Sequence, residues 1–273
     1  MPHAYLGLAT LKTTLDVSGT SLDARLKSVL EGVARSLDSY CGRRFQPYTA
    51  THYYRAHSPD CLLLPHDLLS VTSLKTDPDG DRTYPETWAT TDYDLMPDNA
   101  AAERRPYWRI MPTPEGDYGF PAGVARGVQI AGVWGYWRDL LTLTATVQGG
   151  GVTGTATSIT LSASSEVEAG HTLLIESEQV YVTAVNSSTH VLTVERGVNG
   201  TTAAAHAAAV AVALYRYPTD LVEATLILAS RIYRRKDSPL GTVGGGDLGT
   251  TMIMRHDTDI ERLTQEYRLA RTA

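Results

Sequence analysis

Residues 21–45 read SLDARLKSVLEGVARSLDSYCGRRF, and this stretch decides the first long element of the fold. Apolar side chains recur along it at helical spacing: Leu22, Leu26, Val29, Leu30, Val33 and Leu37. Charged side chains take the other side: Asp23, Arg25, Lys27, Glu31 and Arg35. Ser21 can cap the start of this helix and Gly42 can end it. The stretch therefore predicts an amphipathic helix, with a shorter helix before it around residues 6–15.

A second helical pattern follows Pro218, a residue that can occupy a first helical position. Its apolar stripe consists of Leu221, Ala224, Leu228 and Ile232. Beyond the glycine-rich stretch 240–251, the spacing of apolar side chains predicts a last helix from about Asp257. We expect the two long helices to pack antiparallel as the core, the stripe of the second meeting Leu26, Val29, Val33 and Leu37.

The segments between these helices have strand patterns. Short β runs separated by turns are expected at residues 51–55, 61–64, 71–76, 93–96, 108–111 and 128–134. Asp77-Pro-Asp-Gly80 is a turn, because Pro78 presets φ and Gly80 tolerates positive φ. Residues 141–215 hold one basic side chain, Arg196, and five acidic ones, and this shift in charge marks a separate module. Its short alternating strands predict a compact barrel or sandwich.

These patterns together predict an α+β fold. It has a helical core of two long antiparallel helices plus the C-terminal helix, a small β-sheet region, and an inserted all-β module. Residues 1–140 and 216–273 form the core and a C-terminal arm, and residues 141–215 form the insert. We expect the insert to fold independently, so that a short linker replacing 142–213 leaves the rest folded, because loop-closure entropy grows slowly with length.

Composition excludes several classes of function. The chain of 273 residues is 42% hydrophobic and 20% charged, so it can bury a core. Its net charge of −6 argues against a protein that coats nucleic acid. No apolar run approaches the roughly 20 residues of a membrane span, and the start has no signal-peptide pattern. With only Cys41 and Cys61, a disulfide scaffold is not expected, and the chain reads as soluble and made in a reducing compartment.

No catalytic chemistry emerges from the motifs. The histidines form no HExxH, HxH or Cys/His cluster, so neither a metal site nor a cofactor is expected. His57, Asp60, His66 and Asp67 are better explained as polar loops than as an acid–base cluster. Asp92 and Asp94 are better explained as a solvated strand face than as a glycosidase pair. The glycine runs at 149–154 and 244–249 lack the context of a phosphate loop. The sequence therefore predicts a protein that is not an enzyme.

Several segments resemble head-to-tail adaptor (connector) proteins of long-tailed double-stranded DNA bacteriophages. Residues 22–45, ending in Ser39-Tyr40-Cys41-Gly42-Arg43-Arg44-Phe45, resemble the first long helix and following turn of that family. Residues 128–136, VQIAGVWGY, resemble the strand that closes its β part, and residues 218–241 resemble its second long helix. Residues 170–206, with Glu178, Arg196-Gly197 and Ala205-His206, resemble a small β domain inserted in phage structural proteins.

The resemblance implies a structural virion protein at the head–tail interface, assembled in the host cytoplasm. It would form a ring of about twelve copies, a dodecamer, whose heterologous contact repeats until the rotation closes. One face would dock on the portal protein and the other would receive stopper, terminator or tail-completion proteins. Genomic DNA would pass through the lumen without sequence-specific binding, and no membrane is involved. A carbohydrate-binding or adhesion module is the alternative, suggested by the β-rich middle and the many Trp and Tyr residues.

Two candidate interfaces follow. The C-terminal helix has too narrow a stripe to be stable alone, and the family engages the portal through its C-terminal segment. The expected portal or neighbour-subunit contacts are Met252, Ile253, Arg255, Ile260, Arg262, Leu263 and Tyr267; packing back on its own subunit is the other reading. Truncation after Gly249 should leave a folded protein that no longer joins portal rings. The second candidate is the basic cluster Arg231, Arg234, Arg235 and Lys236, a possible lumen or subunit contact. A nucleic-acid patch is the other reading, but the net charge argues against it, and the macrodipole already favours cations at the end of a helix.

Overall fold

The computed structural model describes residues 3–235 and 258–269, and only the backbone at 242–243 and 251–252. The helices of this part are α1 (Leu8–Thr14), α2 (Asp23–Cys41), α3 (Thr219–Arg234) and α4 (Thr258–Thr264). The strands before residue 150 are β1 (Tyr48–Tyr54), β2 (Leu62–Thr76), β3 (Glu86–Trp88), β4 (Tyr93–Met96), β5 (Tyr107–Pro112), β6 (Val128–Trp134) and β7 (Asp139–Thr146). The later ones are β8 (Ser158–Thr160), β9 (Thr172–Ile175), β10 (Glu178–Asn186), β11 (Val191–Glu195), β12 (Ala211–Arg216), β13 (Thr242–Val243) and β14 (Thr251–Met252).

The prediction of a helical core is wrong. In the part of the chain that the structure describes, most regular structure is β, in two antiparallel six-stranded sheets, and each sheet supplies a large buried apolar cluster. Only α2 and α3 are long, and α1 and α4 have seven residues each. The sequence favours the helices because their apolar period is regular, whereas the apolar residues of the sheets are spread over many short strands.

The predicted stripe of α3 is also out of phase with its buried face. The structure buries Leu221, Ala224, Thr225, Ala229 and Tyr233 of this helix. Leu228 is half-buried and Ile232 is 42% exposed. Thr225 belongs to the buried face because its hydroxyl donates to the carbonyl of Leu221, at 2.8 Å, and so needs no water.

Contacts divide the chain into two compact units. Unit 1 comprises Met1–Gly42, Asp139–Val198 and Thr202–Ala273, and unit 2 comprises Arg43–Arg138 and Asn199–Thr201. The helices and the second sheet thus share unit 1, and the first sheet forms unit 2. Whether residues 141–215 fold alone stays a prediction.

Unit 2 is built on a sheet of order β1-β6-β2-β5-β4, with β3 paired to β2. Strands β4 and β6 coincide with the predicted runs 93–96 and 128–134. The buried face of the sheet carries the apolar cluster, whose largest fully buried members are Trp134, Phe120, Leu62, Leu68, Leu74 and Ile110. In the turn before β3, Gly80 takes φ +80°, as the sequence predicts.

The sheet of unit 1 has the order β7-β12-β9-β10-β11-β8 and closes into a barrel. Val147 and Leu161 form an antiparallel bridge between the ends of the first and last strands. Two backbone hydrogen bonds flank this bridge, from Gln148 to Thr160 at 2.8 Å and from Ser162 to Thr146 at 2.9 Å. The interior is filled by aliphatic side chains: Leu143, Ala145, Val147, Ile159, Leu161, Val167, Leu173, Ile175, Val180, Val182, Leu192, Val194, Val212 and Leu214.

Helices α1 and α2 of unit 1 are bonded to its barrel. The backbone N–H of Leu8 donates to the carbonyl of Ala169 at 2.8 Å. Lys27 of α2 donates from Nζ to the carbonyl of Thr183 at 2.9 Å. The Tyr181 hydroxyl donates to Oε1 of Glu31 at 3.1 Å, and burial together with this carboxylate raises the pKa of Tyr181. Helix α2 is therefore fixed to β10 by Lys27 and Glu31, side chains that the sequence pattern assigned to a solvated face, whereas α1 is held through its backbone.

Candidate interaction surfaces

The cationic end of α3 is exposed. Arg231, Arg234 and Arg235 lie on the surface, next to the exposed Ile232. Arg231 pairs with Asp259 of α4 at 3.2 Å, and with both side chains about half exposed this pair adds little stability. Lys236 lies outside the described residues. These side chains form a mixed cationic and apolar surface, which we call the α3 end.

The C-terminal helix packs on its own chain. Ile260 and Tyr267 are buried, and the Tyr267 hydroxyl donates to Oδ2 of Asp220 at 3.2 Å. Burial, with the neighbouring carboxylates, raises the pKa of Tyr267. Just beyond α4, the N–H of Leu269 donates to the carbonyl of Cys41 at 2.8 Å. The structure therefore uses two of the predicted interface side chains inside the subunit.

The other predicted interface residues have different environments. Arg262 is exposed and Leu263 is half-buried on α4. Met252 belongs to β14, of which only the backbone is described, whereas Ile253 and Arg255 lie outside the described residues. Of the predicted interface side chains on α4, Arg262 and part of Leu263 are thus available to another molecule.

Unit 1 contains a buried polar network. It is formed by the residues on which the resemblance to inserted β domains is based. Arg196 donates from Nε and Nη2 to the two carboxylate oxygens of Glu178, both at 2.7 Å. The Glu178 carboxylate also accepts the N–H of Gly197 at 2.9 Å and that of Ala204 at 3.0 Å, and it lies 2.8 Å from Nε2 of His206. Burial raises the pKa of Glu178, but these donors outweigh burial and bring it to about 2. The network is structural, because it holds the chain from 196 to 206.

An acidic turn in unit 2 brings three carboxylates together. Oxygens of Asp77, Asp79 and Asp81 lie within 4.8 Å of one another. Asp77 is buried, and its carboxylate accepts the N–H of Gly80 at 2.8 Å and that of Arg82 at 2.9 Å. Burial raises the pKa of Asp77, but these hydrogen bonds outweigh it and lower the pKa overall. These hydrogen bonds explain the three carboxylates as parts of a turn.

Two of the residues considered as an acid–base cluster, His66 and Asp67, have other neighbours. His66 stacks on His52, with ring centroids 4.5 Å apart, and its Nδ1 lies 3.2 Å from the Tyr54 hydroxyl. Asp67 is bonded to Arg43. Burial lowers the pKa of both His52 and His66. The geometry therefore shows an aromatic cluster at this position.

The sequence did not reveal an apolar row on the outer face of the unit 2 sheet. Leu63 of β2 and Met96 of β4 are both registered to Arg109 of β5, so the three side chains share one face. The opposite face carries Leu62 and Ile110, which are buried. Leu63 is 60% exposed. A closer reading of Leu62-Leu63-Leu64 could have found it, because strand alternation must place one of three consecutive leucines outside.

Comparisons with known proteins give a structural likeness only. No protein-family model matches the chain, and no curated protein matches it in sequence. Among solved structures, the neck of an empty GTA particle computed with C6 symmetry is similar, with 14% identity, a TM-score of 0.42, and coverage of 98% of this chain and 92% of that one. The neck of a native GTA particle computed with C12 symmetry shows 15% identity, a TM-score of 0.41, and coverage of 100% and 97%. Within the described residues no helix has both the length and the apolar character to cross a membrane.

Proposed function

We propose that this chain is a structural virion protein of the head–tail connection in a tailed-phage type of particle. About twelve copies form a ring that joins the portal vertex to stopper or tail proteins, and DNA passes through its lumen. The segments that resemble phage adaptors support this proposal. They form α2 with its end at Gly42, which takes φ +67°, then strands β1 to β6, and then α3. This is the order of helix, β excursion and helix that the resemblance implies.

Exposed apolar side chains carry the proposal. Large apolar residues lie on the surface of both units, Leu63 and Trp108 in unit 2 and Tyr40 and Ile232 in unit 1. A ring closes through a heterologous contact, in which two different surfaces of the same chain meet. Exposed apolar surface rimmed by polar residues is typical of such contacts. The chain has candidates for both halves of the contact.

The portal contact belongs to the C-terminal segment in this proposal. Ile260 and Tyr267 hold α4 on its own subunit, so Arg262 and Leu263 would meet the portal, together with Met252, Ile253 and Arg255. The α3 end would lie at a subunit contact or at the lumen. At the lumen its cations would attract phosphates and slow the passage of DNA, unless carboxylates of a neighbouring subunit pair with these cations.

Assembly state tests the proposal directly. The purified full chain is examined by native mass spectrometry and electron microscopy, alone and after incubation with purified portal protein from the same particle. Rings, or rings that form only on the portal, support the proposed function. A monomer that ignores the portal and is retained on immobilised glycans would contradict it and favour the adhesion alternative.

A further inference from the structure

Two histidines of unit 2, His52 and His66, form a stacked pair. His52 lies on β1, and His66 lies in the bulge of β2, residues 64–67, where the pairing of β2 with β5 is interrupted. Strand β6 runs between β1 and β2, and the ring of its Trp134 packs edge-on against His52, with centroids 4.5 Å apart. The two imidazole rings nevertheless meet, with centroids 4.5 Å apart and an angle of 20° between their planes. We call this pair the histidine stack.

Each ring of the histidine stack has a tyrosine hydroxyl as a hydrogen-bond partner. Nε2 of His52 lies 3.2 Å from the Tyr48 hydroxyl, and Nδ1 of His66 lies 3.2 Å from the Tyr54 hydroxyl. Burial raises the pKa of both tyrosines, so each hydroxyl keeps its proton and can donate it to a neutral imidazole. These contacts suit two uncharged rings.

The charges around the histidine stack do not compensate two imidazolium ions. Asp67 follows His66 in the bulge, but its carboxylate is bonded to Arg43. Arg44 adds a further cation on this side of unit 2, with its guanidinium carbon 4.3 Å from the centroid of the Tyr48 ring. A second proton on the stack therefore meets more positive charge than negative charge.

Protonation of both rings acts against the histidine stack. Burial lowers the pKa of His52, and a charge on His66 lowers it further. Burial lowers the pKa of His66 as well, against the opposing effect of Asp67. An unfolded chain binds these protons near pH 6.5, whereas the folded chain binds them at lower pH. The contribution of the stack to stability is therefore complete above about pH 6.5 and is lost as the pH falls below that value.

We propose that the histidine stack is an acid-sensitive contact that controls the bulge of β2. When both rings carry a proton, two cations at stacking distance repel each other, and the exposed His66 moves into water together with the bulge. In the closed bulge, the carbonyl of Asp67 accepts the N–H of Gly135, just beyond β6, at 2.9 Å. Opening of the bulge in acid breaks this hydrogen bond. The inference concerns unit 2 alone and does not rest on the proposed function.

An NMR titration of the histidine rings in the full chain tests whether the two rings are coupled. In His66→Gln the pKa of His52 should rise towards 6.5, because the neighbouring charge is gone. His66 is exposed, so this variant should fold, and circular dichroism at neutral pH checks that it does. His57→Gln is the matched control, because His57 is an exposed histidine of the same unit that is not part of the stack. An unchanged titration of His52 in His66→Gln would overturn the proposal.

Hydrogen exchange at the amide of Gly135 tests the opening of the bulge. Between neutral pH and about pH 5, its protection factor should fall in the wild type and in His57→Gln, by roughly tenfold for each unit by which the pKa values of the pair are lowered. In His52→Gln and His66→Gln the protection factor should fall much less, because a single imidazolium ion meets no second one. A local readout is needed, since burial also lowers the pKa of His171 in unit 1, which contributes to global stability. Equal losses of protection in all four proteins, or no loss in the wild type, would contradict the proposed switch.

Discussion

Glu168 caps helix α1 by bonding to Thr10, although the two residues are 158 positions apart in the sequence. Its carboxylate accepts the backbone N–H of Thr10 at 3.0 Å and the Thr10 hydroxyl at 2.9 Å. The first N–H groups of a helix have no acceptor within the helix, and a carboxylate there also interacts favourably with the macrodipole. Gly7 at the N-cap makes room, because a Cβ on it would lie 2.1 Å from Oε2 of Glu168.

Removing this cap should destabilise the protein modestly. Glu168→Ala is expected to lower the free energy of unfolding by about 0.5–2 kcal/mol, the range for lost N-caps. Urea denaturation monitored by circular dichroism measures the change. Glu166→Ala is the control. Glu166 is an exposed residue of the same loop, and its carboxylate makes only a long contact of 3.5 Å with the hydroxyl of Thr144. Equal effects of the two substitutions would argue against the cap.

Breaking the buried ion pair should cost more. Arg196→Met leaves the fully buried Glu178 carboxylate without its main partner, and we expect a loss of about 3–5 kcal/mol. Arg216→Met is the comparison, since Arg216 is half exposed and its pair with Asp139 should contribute about 1 kcal/mol or less. Similar losses in both variants, measured by chemical denaturation, would show that the Glu178 network is not special.

The same network predicts a dependence of stability on pH. The pKa of Glu178 is about 2 in the folded protein, against 4.5 for an unperturbed glutamate. Its contribution is therefore complete above about pH 4.5 and is lost as the pH falls towards 2, about 3 kcal/mol in all. Denaturation at a series of acidic pH values should show this loss in the wild type and a flatter profile in Glu178→Gln. Parallel profiles would contradict the assignment.

The two long helices offer a test of burial. Leu30 of α2 is 1% exposed, so Leu30→Ala should cost about 2–5 kcal/mol. Leu228 of α3 is only half-buried, and Leu228→Ala should cost less than about 2 kcal/mol. Urea denaturation measures the loss in free energy of unfolding for both variants. A larger loss at Leu228 than at Leu30 would restore the helix stripe that the sequence predicts.

Local sequence patterns correctly predicted some elements of the fold. Gly42 ends α2 in the left-handed region, and β6 covers the run VQIAGVW because every second residue is apolar or small. The alternation between 158 and 194 likewise predicted most barrel strands. Long-range partners were not predictable, since nothing near Glu168 or Thr10 in sequence indicates that they meet.

The interaction surfaces show the same limit. Periodicity separates apolar from polar positions, but it cannot say that Ile260 and Tyr267 pack inside their own subunit while Leu63 stays exposed. Leu63 and Met96 flank Arg109 only through cross-strand register. A single sequence does not contain that register, so this row was missed.

The last prediction concerns portal binding by α4. Because Ile260 and Tyr267 are buried within the subunit, truncation after Gly249 removes internal contacts as well as any external ones. Arg262→Glu is the sharper variant, since Arg262 is exposed and its replacement leaves those contacts intact. We expect about tenfold weaker co-sedimentation with portal rings and an unchanged thermal midpoint. Arg25→Glu, the same change at an exposed position of α2, should bind the portal normally. Normal co-sedimentation of the Arg262→Glu protein would remove Arg262 from the portal contact.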